Sequence, residues 1–143
     1  MEVALEEARA AAAHDDVPVG AVVLAADGTT LSRRHNEREL VGDPTAHAEI
    51  LALRDAAVVL GSWRLEGTTL VVTLEPCLMC AGALVAGRVA QVVFGAADLQ
   101  AGGCGSLYNL CVDPRLNHEV EVVHGIRAAE ATALLDAFFT ARR

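Results

Sequence analysis

The sequence predicts an α/β sandwich in which helices cover both faces of a mixed β-sheet. Strand-like and helix-like segments alternate through the second half of the chain, as they do in layered α/β folds. Asp27 and Gly28 form a turn signal between two strand-like segments, which predicts an antiparallel hairpin ahead of the alternating part. A length of 143 residues is typical of one domain, and we expect residues 1–143 to form a single one.

The first half of the chain is expected to contain a helix over 3–13, strands over 19–25 and 30–35, and a helix over 46–60. Alanine, glutamate and arginine favour the first helix, and Pro18 lies just beyond its end. The first strand is apolar on both faces, which is typical of a buried strand. The second helix carries an apolar stripe that includes Ile50, Leu53 and Ala57.

The second half is expected to contain strands over 69–74, 89–94 and 120–123, and helices over 77–86, 107–110 and 128–142. Pro76 favours a helix start there, because a first-turn residue does not need its N–H group. No apolar run approaches the roughly 20 residues of a membrane span. The N-terminus is acidic, unlike a signal peptide, so we expect a cytoplasmic protein.

The charge of the chain bears on its partners. The formal net charge is -8, which argues against a protein that coats nucleic acid non-specifically. All eleven basic residues are arginines, which suit bidentate phosphate contacts and stacking on bases. Any contact with nucleic acid is therefore expected to use a local arginine patch.

The most informative motif combines His47-Ala48-Glu49 with Pro76-Cys77-Leu78-Met79-Cys80. Cys77 and Cys80 are three residues apart and share one face of a helix, while His47 lies at the start of another. Three protein ligands leave one position of a tetrahedral zinc ion open for water. The sequence therefore predicts a hydrolytic zinc site with His47, Cys77 and Cys80 as the ligands.

Glu49 is the candidate proton carrier of this site. On a regular helix its side chain points about 200° away from that of His47, which favours a role beside the metal over ligation. A carboxylate close to a metal-activated water can accept its proton and return it to a leaving group.

Other interpretations of the cysteines stay open at this point. A Cys-x-x-Cys pair also occurs in redox proteins, although that leaves Pro76 and the upstream histidine unexplained. A structural zinc site would need a fourth ligand, for which Cys104, Cys111 and His118 are available. A metal other than zinc is also compatible with the residues.

The chain resembles the bacterial tRNA-specific adenosine deaminases of the cytidine deaminase-like superfamily. The zinc motif matches the signature of nucleobase deaminases. The resemblance extends over nearly the whole chain, through VPVGAV (17–22), DPTAHAEI (43–50), TLEPCLMCAGA (73–83), VVFGA (92–96), GSL (105–107), NH (117–118) and FF (138–139). The zinc motif alone fits several deaminases, and the later segments favour the tRNA enzyme.

The resemblance implies a three-layer fold with a mixed five-stranded sheet, one zinc ion per subunit and a homodimer. It also implies that the wobble adenosine of a tRNA anticodon loop is converted to inosine, with Glu49 as the catalytic residue. The residues expected to contact the substrate are Asn36, Ala48, Asp98, Ser106 and Asn117. From the residues alone, a turn residue after a strand is the less favoured alternative for Asn36, and Asp98 could equally cap a loop.

Two features depart from the family pattern. Gln100 stands where family members often have a basic residue, and the chain ends at Arg142-Arg143 without a basic tail. Both remove attraction for phosphate, so a deaminase of free guanine or of cytosine and cytidine is the alternative function. A non-catalytic zinc module is a third interpretation, but it leaves Glu49 without a role.

Overall fold

The computed structural model describes residues 1–143 and contains one five-stranded sheet. The strands are β1 (Gly20–Leu24), β2 (Thr30–His35), β3 (Thr69–Leu74), β4 (Gln91–Ala96) and β5 (Glu121–Val123). The helices are α1 (Glu2–Ala12), α2 (Arg38–Val41), α3 (Ala48–Leu60), α4 (Leu78–Ala86) and α5 (Ala128–Thr140), with a 3₁₀ turn at Leu110–Val112. None of the helices combines the length and the apolar composition needed to span a bilayer.

The direction of the strands brings three loops to one edge of the sheet. The strand order is β2-β1-β3-β4-β5, and β1 is antiparallel to both of its neighbours. The pairs β3–β4 and β4–β5 are parallel. All strands except β1 therefore point the same way, and the loops that follow β2, β3 and β4 emerge together. The predicted mixed five-stranded sheet is confirmed.

Helices cover both faces of this sheet, as the sequence predicts. On one face, α3 packs on β1 and β2 and contacts α4, while α1 and α5 contact each other on the opposite face. Alternate residues of the central strands separate accordingly. Val23 and Leu70 join the main core with α3 and α4, whereas Val22 and Val71 pack with Ala4 of α1.

Several predicted boundaries are wrong, and α2 was not expected. Helices α3 and α4 begin at Ala48 and Leu78, later than predicted, and α5 ends at Thr140. The predicted helix over 107–110 is a 3₁₀ turn at Leu110–Val112. Helix α2 has only four residues, and the carboxylate of Asp16 accepts hydrogen bonds from its first free N–H groups. A contact over more than 20 positions leaves no local signal.

Candidate active site

Three potential metal ligands converge at the edge of the sheet where the loops emerge. The Nδ1 atom of His47 lies 3.6 Å from the Sγ atom of Cys77 and 3.5 Å from that of Cys80. The three ligand atoms all lie within 4.8 Å of one another. The structure therefore brings together the three side chains that the sequence singles out, and Nδ1 is the histidine nitrogen that faces the sulfurs.

The starts of two helices position these side chains. His47 and Cys77 are the N-cap residues of α3 and α4, and both have extended backbone conformations. Both lie just before the helices, which corrects the expectation that they lie inside them. Cys80 follows in the first turn of α4 and is fully buried. An N-cap residue lies beside the free N–H groups of its helix, whose partial positive charge favours a thiolate.

The hydrogen bonds within this group already favour a charged sulfur. The contact with Cys80, reinforced by His47, lowers the pKa of the Cys77 thiol to about 3. The same contact between the sulfurs raises the pKa of Cys80. Hydrogen bonding to Cys77 also raises the pKa of His47. A thiolate is the form of cysteine that binds metal, so the cluster is chemically suited to a cation.

Glu49 lies beside the cluster in the first turn of α3 and is only 4% exposed. Burial raises the pKa of its carboxyl group to about 7, and the nearby charge of His47 opposes that rise. A group with such a pKa can both take up and release a proton near neutral pH. Because His47 has left the helical conformation, the separation expected on a regular helix does not apply, and both residues line the same cleft.

The cleft runs along the edge of the sheet between the loops. His47, Glu49 and Cys77 line it together with Asn36 and Asp98. Asn36 follows β2, Cys77 follows β3 and Asp98 follows β4, so the parallel direction of these strands explains why they meet. Ligands of α/β proteins commonly bind at the carboxyl ends of strands.

Comparison with known proteins assigns this site to a family. The sequence model of the MafB19-like deaminase family matches residues 1–143. The tRNA-specific adenosine deaminase of Bacillus subtilis (strain 168) is 50% identical over 139 residues, which are 97% of this chain and 86% of the relative. The chain belongs to the tRNA-specific adenosine deaminase family. It is therefore a hydrolytic deaminase.

Solved structures agree with the fold of this deaminase. One from a study of A-to-I editing by tRNA:A34 deaminases at the wobble position of transfer RNA has a TM-score of 0.90 and 41% identity, and covers 94% of this chain and 97% of that one. A guanine deaminase from Nitrosomonas europaea has a TM-score of 0.84 and 26% identity, and covers 97% of this chain and 82% of that one. The second comparison supports the shared fold more than a shared substrate.

In the structure of this chain, Asn36 and Ala48 are joined by a hydrogen bond. The Oδ1 atom of Asn36 accepts a hydrogen bond from the Ala48 N–H at 2.8 Å, and its Nδ2 donates to the Val17 carbonyl at 3.1 Å. Asn36 lines the cleft and is 8% exposed. The Ala48 N–H is thus already occupied, while Asn36 keeps one donor hydrogen and one lone pair for a ligand.

The other predicted substrate contacts lie at different distances from the cleft. Asp98 lines it, and its Oδ1 also accepts hydrogen bonds from Gln100 and Ala101, so it caps its own loop as well. Ser106 lines a neighbouring depression, where its N–H and hydroxyl donate hydrogen bonds to Glu75. Asn117 lines a separate surface depression beside the 3₁₀ turn. The structure therefore brings Asp98 to the ligand cluster, but neither Ser106 nor Asn117.

Of two further charged residues of the cleft, reasoning from the sequence offered Arg38 only as one of several arginines for phosphate contact and missed Glu75. Arg38 projects from α2, whose existence had no local signal. Glu75 follows the apolar strand β3 and is 2% exposed. Glu75 did leave a signal in the sequence, because it lies between a strand predicted to be buried and Pro76-Cys77, where a carboxylate needs hydrogen-bond partners.

Proposed function

We propose that this chain, as a single zinc-dependent domain over residues 1–143, deaminates the wobble adenosine of a tRNA anticodon loop to inosine. The observation that carries the proposal is the meeting of His47, Cys77 and Cys80 with the buried Glu49 at one cleft. The family relationship supports the substrate, since the relatives are named for tRNA and adenosine.

The donor atoms fit zinc in both chemistry and spacing. One imidazole nitrogen and two sulfurs are ligands that zinc prefers. A tetrahedral zinc with bonds of about 2.0 Å to nitrogen and about 2.3 Å to sulfur holds the nitrogen and each sulfur about 3.5 Å apart. The two nitrogen–sulfur distances of 3.6 and 3.5 Å agree with that value. When bound, zinc lowers the pKa of water and supplies a nucleophile at neutral pH.

Glu49 and Asn36 then have separate tasks. Glu49 takes one proton from the attacking water and delivers it to the ring nitrogen. It then takes the proton of the hydroxyl formed at carbon 6 and delivers it to the amino group, which leaves as ammonia when the C–N bond breaks. A pKa of about 7 suits both transfers. Asn36 holds the edge of the adenine with the donor and acceptor that it has left. The base must leave the stack of the anticodon loop to enter the cleft.

The arginines differ in whether their side chains are available to contact RNA. Arg38 lines the cleft, so it is placed to contact a phosphate beside the target nucleotide. Arg64 and Arg88 lie over the ring of Trp63, and Arg142 pairs with Asp15. The net charge of -8 gives the chain little general attraction for phosphate, so a local contact is needed. We therefore assign the phosphate contact nearest the target nucleotide to Arg38.

We further propose a homodimer in the cytoplasm. Val58, Val59 and Trp63 at the end of α3 are exposed, and an apolar groove runs between α3 and α4 beside them. Such a surface is typical of an interface between subunits. Sedimentation at micromolar concentration tests the dimer, and a monomer would contradict it.

The four free cysteines support the proposed location in the cytoplasm. They are typical of a reducing compartment, where tRNA is also available.

One assay tests the proposed substrate against the alternatives. Zinc-loaded protein is incubated separately with an anticodon stem-loop, guanine and cytidine, and both inosine and released ammonia are measured. Inosine in the stem-loop at the wobble position supports the proposal. Ammonia from guanine or cytidine with no product in the RNA contradicts it. The comparisons favour the first outcome, since the relatives named for tRNA are more similar than the guanine deaminase.

A further inference from the structure

The carboxylate of Glu75 receives four hydrogen bonds from one loop. Its Oε1 atom accepts the Asp98 N–H at 3.1 Å and the Ser106 hydroxyl. Its Oε2 atom accepts the N–H groups of Cys104 at 3.1 Å and of Ser106 at 3.0 Å. Both oxygens are therefore used inside the protein, and the side chain is 2% exposed.

These donors come from both ends of the segment 98–106, which we call the 98–106 loop. Asp98 begins the loop two residues after the end of β4, and Cys104 and Ser106 lie at its other end. Ala101, in its middle, lines the cleft, and Leu99 is 78% exposed. One carboxylate thus closes the two ends of the loop and leaves its middle facing the cleft and the solvent.

The loop is also joined to the segment that carries the metal ligands. The Gly103 N–H donates to the Pro76 carbonyl at 2.8 Å, and Gly102 forms a β-bridge with Cys77. A Cβ atom on Gly102 would lie 2.3 Å from the Oε2 atom of Glu75. The approach of the carboxylate to the loop backbone is therefore possible only because residue 102 has no side chain.

We infer that Glu75 is a positioning residue, which holds the 98–106 loop in its RNA-binding shape before the RNA arrives. This inference rests on the proposed function, because the loop is expected to contact nucleotides beside the target adenosine. Glu75 acts on RNA binding through the loop, whereas the proton transfers of the reaction are assigned to Glu49. If the loop is ordered before binding, the free energy of RNA binding is not reduced by the entropic cost of ordering the loop.

The variant Glu75→Gln tests the inference with little change in volume. Its amide nitrogen replaces one acceptor and faces donors of the loop. We expect KM for the anticodon stem-loop to rise about tenfold, with kcat reduced less than about threefold. Hydrogen exchange of the Asp98, Cys104 and Ser106 amides should accelerate, and saturating stem-loop should restore part of their protection.

Two further variants separate positioning from general stability. Gly102→Ala should displace the carboxylate and reproduce the effect on KM, and combining it with Glu75→Gln should add little, because both changes open the same contact. The matched control is Thr68→Val at the other end of β3, which removes a buried hydrogen bond of 2.6 Å to the Leu65 carbonyl. This control should lower Tm without changing KM or the loop amides.

The readouts distinguish failure of this inference from failure of the proposed function. Unchanged exchange of the loop amides in Glu75→Gln would overturn the inference, as would kinetic effects indistinguishable from those of Thr68→Val. If the wild-type protein does not deaminate the stem-loop, the proposed function fails. The exchange experiment on the RNA-free protein would still decide whether Glu75 holds the loop.

Discussion

The two helix layers that cover the sheet bury different kinds of side chain. Between the sheet and the helices α1 and α5, the buried side chains are apolar, such as Ala4, Leu5 and Ala131, and charged side chains pair at the surface. The layer of α3 and α4 covers the larger apolar core and also buries Cys80 and Glu49.

This difference shows in which layer the protein buries groups that lower its stability. A buried carboxyl group is unfavourable unless it is paired or hydrogen-bonded. The α3 and α4 layer places such groups next to its largest apolar core, which keeps their positions rigid. Neither α1 nor α5 contains a fully buried carboxyl group, and we expect their packing to contribute mainly to stability. Substitutions in the two layers should therefore affect different measurements.

The largest effect is expected from Cys77→Ala. Removing a ligand should lower zinc affinity by more than about 100-fold, since even the loss of a group that only supports a ligand costs 10–100-fold. Turnover should be lost with the metal. Zinc content after dialysis measures this, and Cys104→Ala, which removes a buried thiol outside the cluster, should keep its zinc. Full zinc in Cys77→Ala would contradict the assignment of the ligands.

Glu49→Gln should separate proton transfer from metal binding in the same layer. The variant should retain zinc, while kcat/KM on the stem-loop falls by about 10³-fold, as expected for loss of general acid–base catalysis. Glu66→Gln, at an exposed position, is the control and should have normal activity. Wild-type turnover in Glu49→Gln would refute the role of this carboxylate.

In the layer of α1 and α5, Gly20→Ala should reduce stability without changing any active-site residue. The added Cβ atom would lie 1.9 Å from the Ala4 carbonyl oxygen, so α1 must move. We expect the free energy of unfolding to fall by about 3 kcal/mol, measured by urea denaturation. Gly82→Ala in α4 meets no atom within 4 Å and should instead raise it by about 0.5–1 kcal/mol. Equal effects of the two changes would contradict this account.

The smallest effect is expected from Arg33→Gln. Arg33 pairs with Glu6 and Glu7 of α1 at the surface, and its side chain is 45% exposed. The free energy of unfolding should fall by less than about 1 kcal/mol, because solvent screens exposed pairs. Urea denaturation at low salt and at about 1 M salt should show the difference shrinking. A large loss that is independent of salt would mean that this layer depends on charge after all.

Much of this architecture could be predicted from local patterns. The bounds of β2 and β3 agree with the prediction, because turn signals and apolar runs define them within a few residues. The cluster of potential metal ligands could also be predicted, since Cys77 and Cys80 are close in sequence and few other roles explain them together with His47. Helix α2 was not, because Asp16 stabilises it from a distant part of the chain.

The sequence by itself determined which residues could bind a metal and which could carry a proton, because these capacities are properties of single side chains and short spacings. The tertiary structure alone decided how these groups are presented. It made His47 and Cys77 the N-caps of two facing helices, and it buried Glu49 so that its pKa rises to about 7. It also closed the 98–106 loop on Glu75. Burial and contacts between distant segments arise only when the chain packs, so no local pattern reports them.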